Sequence, residues 1–185
     1  MSKTSDINLD KIVSDLRKTA RSSTNEEEFK MSATSIINEN IVTVLDLKMG
    51  RFEYSLVSGA RADALYGHVL IEYKAPGILS TASGFTKAKE QIINYIISEA
   101  GAKERFRYFF GIIIGDMIGF VKFNTITEDW VVRGPYEINK EAVLKIVEAL
   151  RGLRRKKLCA EELLRDFGPG SEVASAVIAM FYDLS

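Results

Sequence analysis

The chain has 185 residues, with 25 Lys plus Arg balanced by 25 Asp plus Glu, and a single cysteine. Hydrophobic residues at 46% and charged residues at 27% exclude whole-chain disorder, collagen and coiled coil, and the length suits one packed domain with a helical appendage. A lone Cys159 excludes an intrachain disulfide and a Cys-rich zinc site, and zero net charge removes the simplest argument for a polyanion binder. The polar start shows no apolar leader, and the greasy stretch 111–121 is broken by Asp116, so the expectation is a soluble cytoplasmic chain with no membrane partner.

The periodicity predicts a first helix over 9–20, with Ile12, Val13 and Leu16 on one face. Thr24-Asn25-Glu26-Glu27 then reads as a capping box, Thr24 as N-cap and Glu27 at the third helical position. It opens a helix with Phe29, Ala33, Ile36 and Ile37 as its stripe, ending near Asn40. Strands are expected over 52–57, from Arg61 onward, and over 68–74, where Ala75-Pro76-Gly77 stops the run. Residues 78–84 read as a loop and 85–100 as a helix burying Phe85, Ala88, Ile92 and Ile96. Strands at 106–114 and 117–123 flank a Gly115-Asp116 turn, and a short strand at 130–133 stops before Gly134-Pro135. Helices follow at 141–150, 160–167 and 172–184. The basic run Arg151, Arg154, Arg155, Lys156 and Lys157 is more simply a solvated helix end or linker than a phosphate-binding patch. The fold class expected is α/β, a mixed sheet flanked by helices, with an α/β domain at 1–150 and a basic segment and helices at 151–185.

Chemistry concentrates between Asp63 and Lys74. Alternation along a strand puts Glu72 and Lys74 on one face. With a turn at Tyr66-Gly67, Asp63 stands opposite Leu70 and diagonal to Glu72, about 7–8 Å away at the backbone. Two carboxylates so placed suit Mg²⁺, which takes one or two carboxylates plus substrate phosphate and keeps several waters. Lys74 would orient or help deprotonate a water and offset transition-state charge. The plain alternative is a surface Glu72–Lys74 ion pair worth ~0–1 kcal/mol. Val69, Leu70 and Ile71 argue against it, because they mark a strand buried on both faces, where charge is expensive unless paired or coordinated.

Asp63, then Glu72-Tyr73-Lys74 as Glu-x-Lys, then Gln91 to Tyr95 as Gln-x-x-x-Tyr, resembles the PD-(D/E)XK nuclease superfamily over residues 24–130. Within it, the run from Arg61 to Gly67 looks most like the N-terminal nuclease-like domains joined to N6-adenine DNA methyltransferases in restriction–modification proteins. Ala62 departs from the family pattern, standing where proline gives the family its name. The resemblance implies a restriction-endonuclease-like fold. It also implies Mg²⁺ (replaceable by Mn²⁺) held by Asp63, Glu72 and the Tyr73 carbonyl, with Lys74 serving the attacking water. Gln91 and Tyr95 would flank the metal. An acid on the first core helix is expected in support: a helical wheel favours Glu26, sequence resemblance Glu28. Arg61, Ser80, Thr81 and Lys87 are the candidate DNA contacts. His68 reads as structural or DNA-facing, and Cys159 and Trp130 as packing.

The function expected is a Mg²⁺-dependent DNA endonuclease of a restriction–modification or defence system, leaving a 5′-phosphate end. The alternative is a catalytically silent nuclease-like domain that binds DNA or partner subunits; a weaker third is a nuclease directed at RNA. A methyltransferase and target-recognition domain are the expected partners in a longer protein, and 162–184 reads as a connector toward them. Double-strand cutting would need a homodimer or a second domain.

Overall fold

Six strands form one mixed sheet in a computed structural model that describes residues 7–56, 59–153 and 168–169. The strands are β1 (Arg51–Ser55), β2 (Arg61–Tyr66), β3 (Val69–Tyr73), β4 (Phe110–Ile114), β5 (Met117–Asn124) and β6 (Asp129–Glu137). Their order in space is their order in the chain. Every neighbouring pair is antiparallel except β3–β4, which is parallel because a helix returns the chain between them. The helices are α1 (Leu9–Ser22), α2 (Glu26–Ile37), α3 (Ala82–Ala100) and α4 (Lys140–Arg151). The chain divides into two compact units, Met1–Arg154 and Arg155–Ser185. The helices expected at 160–167 and 172–184, Cys159 and the basic run beyond Arg151 lie outside the described residues. Among the described residues no helix is long and apolar enough to cross a membrane.

The sheet separates two cores. On one side α1, α2 and α4 bury Ile12, Leu16, Phe29, Ala33, Val143 and Ile146 against Ile71, Tyr73, Ile112 and Ile114. On the other, α3 buries Phe85, Ala88, Ile92 and Ile96 against Leu65, Leu70, Ile113 and Val121. All five residues of β3 are buried, as its continuous apolar run predicts. Ile71 and Tyr73 therefore face the three-helix side, while Leu70 and Glu72 face α3.

Several local expectations shift. The N-cap of α2 is Asn25, not Thr24: its Oδ1 accepts the Glu28 N–H at 2.9 Å. Glu28, not Glu27, is the third helical residue, and its Oε2 accepts the Thr24 N–H at 2.8 Å and hydroxyl at 3.0 Å. Asparagine caps at least as well as threonine, so the box closes one residue later. After Ile37 the helix widens into a π turn, Asn38–Val42. α3 starts earlier than expected, because Thr81 caps it through Gly84 N–H at 3.1 Å. The Ile78 carbonyl would lie 2.1 Å from a Cβ at position 84, which only glycine avoids. A 3₁₀ turn, Lys103–Tyr108, replaces the first residues expected in β4. β6 runs through Gly134-Pro135, because an edge strand needs no ladder bond from proline and the register shifts between Ile118 and Phe120.

The β2–β3 hairpin carries the correction that matters most. Tyr66 pairs with Val69, so the two turn residues are Gly67 and His68, with Gly67 at φ +57°. A two-residue hairpin needs positive φ at its first central residue, and glycine supplies it there. The expected turn at Tyr66-Gly67 put Asp63 opposite Leu70. The observed register pairs Leu70 with Leu65 and Ile71 with Ala64, so the next position sets Asp63 across from Glu72.

Candidate active site

At the end of β3 the ladder with β2 opens. The Lys74 N–H bonds to the Ile114 carbonyl of β4 at 2.9 Å, so the preceding amide, that of Tyr73, points toward β2. It finds the Asp63 carboxylate instead of a carbonyl: Oδ2 accepts the Tyr73 N–H at 2.8 Å. The Tyr73 side chain is turned away and buried, edge-on to Phe29 at 6.3 Å between ring centroids.

Glu72 projects beneath α3 with its side chain 5% exposed. Its Oε1 accepts from Lys74 Nζ and from Gln91 Nε2, both at 2.7 Å. Gln91 Nε2 also lies 2.6 Å from the Tyr95 hydroxyl, as one helical turn of separation allows. Glu72 Oε2 is buried and has no hydrogen-bond partner. Burial, with Asp63 adding to it and Lys74 opposing, pushes the Glu72 carboxyl up to about 7. Burial likewise raises Asp63, against the Tyr73 N–H and Lys30. Burial pulls Lys74 down, but Glu72, Glu26 and Asp63 outweigh it and hold the ammonium above its ordinary value.

The structure separates the two glutamates that the sequence left open. Glu26 Oε2 accepts the Ala75 N–H at 3.3 Å, just past Lys74, while Glu28 is folded back onto Thr24. Three residues absent from the expected set also converge here. Lys30 Nζ meets Glu27 Oε2 at 2.7 Å, Glu53 Oε1, and Asp63 Oδ1 at 3.4 Å. The β1–β2 register sets Glu53 across from Asp63, so Glu53, Asp63 and Glu72 form a row across three adjacent strands. Glu26 and Lys30 lie four apart on one helix, so they share the face that reaches Ala75 and Asp63.

Of the expected DNA contacts, two bond within their own loop. The Ser80 hydroxyl donates to the Gly77 carbonyl at 3.0 Å and Thr81 to the Ile78 carbonyl at 2.8 Å. Arg61 is exposed at the start of β2, and Lys87 is exposed one turn before Gln91 on α3. His68 packs its ring against Phe109 at 5.3 Å, at the far end of β3 from Glu72.

No family model, curated protein or solved structure matches the chain.

The chemistry must then be read from the residues themselves. Among the described residues no group of three or more His, Cys, Asp or Glu side chains could hold a metal ion by itself. A cavity of about 670 Å³, lined in part by Phe110, Phe120, Lys122, Val131 and Arg133, contains none of the residues just described. Asp63, Glu72, Lys74 and Gln91 instead form a small polar cluster at the β2–β3 opening, with one carboxylate oxygen left over.

Proposed function

We propose that the chain is a Mg²⁺-dependent phosphodiesterase of the PD-(D/E)XK type, with a restriction-endonuclease-like fold and DNA as substrate. The carrying observation is Glu72 Oε2, a buried carboxylate oxygen without a partner, on the strand position adjoining Asp63. Buried polar atoms are ordinarily satisfied, and an orphan oxygen beside a second acid invites a cation. Two carboxylates fit Mg²⁺, whose remaining positions go to water and substrate phosphate, so a site without three side-chain ligands is no obstacle. A divalent ion here would supply Lewis-acid stabilisation of charge developing on the phosphate.

The residues divide the remaining work. Gln91 and Lys74 both bind Glu72 Oε1, which fixes the carboxylate and leaves Oε2 as its available oxygen. Lys74 keeps its proton at neutral pH, since its neighbours hold it above the ordinary value. Beside the two acids it can orient the attacking water or help deprotonate it, and offset phosphorane charge. Asp63 holds the Tyr73 backbone, so the two acids are spaced by the strands themselves. Glu26 borders the end of β3 and Lys87 extends the Gln91 flank toward solvent, where a strand of DNA would pass. A methyltransferase or target-recognition partner in a restriction–modification setting completes the proposal.

The test is Mg²⁺ titration calorimetry on wild type, Asp63→Ala and Glu72→Ala, with plasmid cleavage on the same samples. Binding lost in both variants together with cleavage by wild type supports the reading. Such binding without cleavage moves it to the silent nuclease-like domain. Binding unaffected by either substitution removes the site.

A further inference from the structure

We propose that Lys30 is the built-in cation of a one-metal site: its ammonium neutralises the Glu53–Asp63 half of the acid row, leaving the Asp63–Glu72 half for a single divalent ion. This rests on reading Asp63 and Glu72 as metal ligands.

Carboxylates directly opposite one another on neighbouring strands repel, and here the register sets two such pairs side by side. The two halves are treated differently. Over the first, Lys30 Nζ meets oxygens from three elements, Glu27 of α2 at 2.7 Å, Glu53 of β1, and Asp63 of β2 at 3.4 Å. An ammonium with three donors suits three acceptors, and its side chain is only 16% exposed. Glu53 reaches this position from a backbone at φ +48°, a conformation uncommon outside glycine. Over the second half the cation present, Lys74, meets Glu72 alone, and no ion pair spans Asp63 and Glu72. Lys74 and Gln91 approach Glu72 through Oε1, and Oε2 stays buried and unpartnered. Lys30 thus bridges one pair of the row, whereas Lys74 stands to one side of the other and leaves Oε2 free between the two acids.

The ranking of Lys30 contacts sets the sign of its effect. The hydrogen bonds to Glu27 and Glu53 are short, whereas 3.4 Å to Asp63 is an ion pair beyond good hydrogen-bond length. Glu27 and Glu53 thus hold the ammonium back, and Asp63 can turn toward an incoming ion without dislodging it. Removing the charge leaves Asp63 a stronger ligand. Removing Glu53 lets the ammonium lean onto Asp63 and weakens it.

Mn²⁺ titration calorimetry on the full chain, with melting temperature in chelator and in saturating Mn²⁺, tests this on wild type and four variants. Wild type is expected to bind one ion. Lys30→Met should bind Mn²⁺ about 3- to 10-fold tighter, the scale of a unit charge removed several ångströms from a divalent ion in a high-dielectric setting. Its melting temperature should fall in chelator and gain more from Mn²⁺ than that of wild type. Lys30→Arg should keep wild-type affinity, and Glu53→Gln should bind more weakly. Unchanged or weaker binding by a folded Lys30→Met, or two Asp63-dependent ions in wild type, overturns the proposal while the metal reading stands. Unaltered binding in Asp63→Asn overturns both.

Discussion

Asp63 Oδ2 accepts the backbone N–H of Tyr73 at 2.8 Å, occupying the position a β2 carbonyl would take if the ladder continued. One carboxylate thus serves as a ladder acceptor and as a candidate ligand. The two roles separate by substitution. Asp63→Asn keeps an acceptor for the Tyr73 amide and should fold with wild-type stability while losing divalent-ion binding. Asp63→Ala leaves that amide unsatisfied and should cost about 1–3 kcal/mol as well. Urea denaturation in chelator checks the first difference, and calorimetry the second.

Glu72 makes stability depend on pH in a defined direction. Its carboxyl rises from an ordinary 4.5 to about 7, chiefly through burial. The folded chain keeps a proton that the unfolded chain has released, so the associated stability is complete below about pH 4.5 and is lost as pH rises through about 7. In chelator, Glu72→Gln should therefore exceed wild type at pH 8 by up to ~3 kcal/mol, with the gap closing toward pH 4.5. An equal gap at both pH values would exclude ionisation of Glu72 as its source.

Gln91 and Tyr95 should differ in consequence. Gln91 touches Glu72 Oε1 directly, whereas Tyr95 reaches it only through Gln91. Gln91→Leu is expected to lower plasmid cleavage at least tenfold, because the carboxylate loses one of its two fixing donors. Tyr95→Phe removes one hydrogen bond at a distance, about 1 kcal/mol, and should lower cleavage less. A greater loss in Tyr95→Phe would point to a direct role for the hydroxyl.

Gly84 is a sharp test of how α3 is seated. A Cβ there would lie 2.1 Å from the Ile78 carbonyl and 2.7 Å from Thr81 Oγ1, the capping atom. Gly84→Ala should thus destabilise by roughly 1–3 kcal/mol, the range for overpacking, despite alanine's better helix propensity. Thermal unfolding reads this out. A stabilised Gly84→Ala would mean the loop before α3 yields easily.

What could be read along the chain were features set by neighbours in sequence. The β3 run of Val69, Leu70 and Ile71 and the Phe85–Ala88–Ile92–Ile96 stripe appear where period places them, whereas the two-residue turn expected at Gly115-Asp116 is a three-residue connection, because Ile114 pairs with Ile118. Parity alone put Glu72 and Lys74 on one face, and helical spacing alone put Gln91 beside Tyr95. Boundaries that depend on competing caps moved by a residue or more, as at Asn25 and Thr81, because adjacent polar residues offer nearly equal alternatives.

The site's essential geometry lay beyond that reach. A two-residue difference in the β2–β3 register turns Asp63 from a diagonal neighbour of Glu72 into its opposite, and only the positive φ of Gly67 decides between them. The acid row needs two registers at once, β1 with β2 and β2 with β3. Lys30 joins it through α2 packing over the sheet, which no local pattern encodes. Residue types and faces follow from short-range sterics and hydrophobic period, so the sequence determined which acids and lysines were available. Which of them meet follows from how separate elements dock, and the tertiary structure alone decided that.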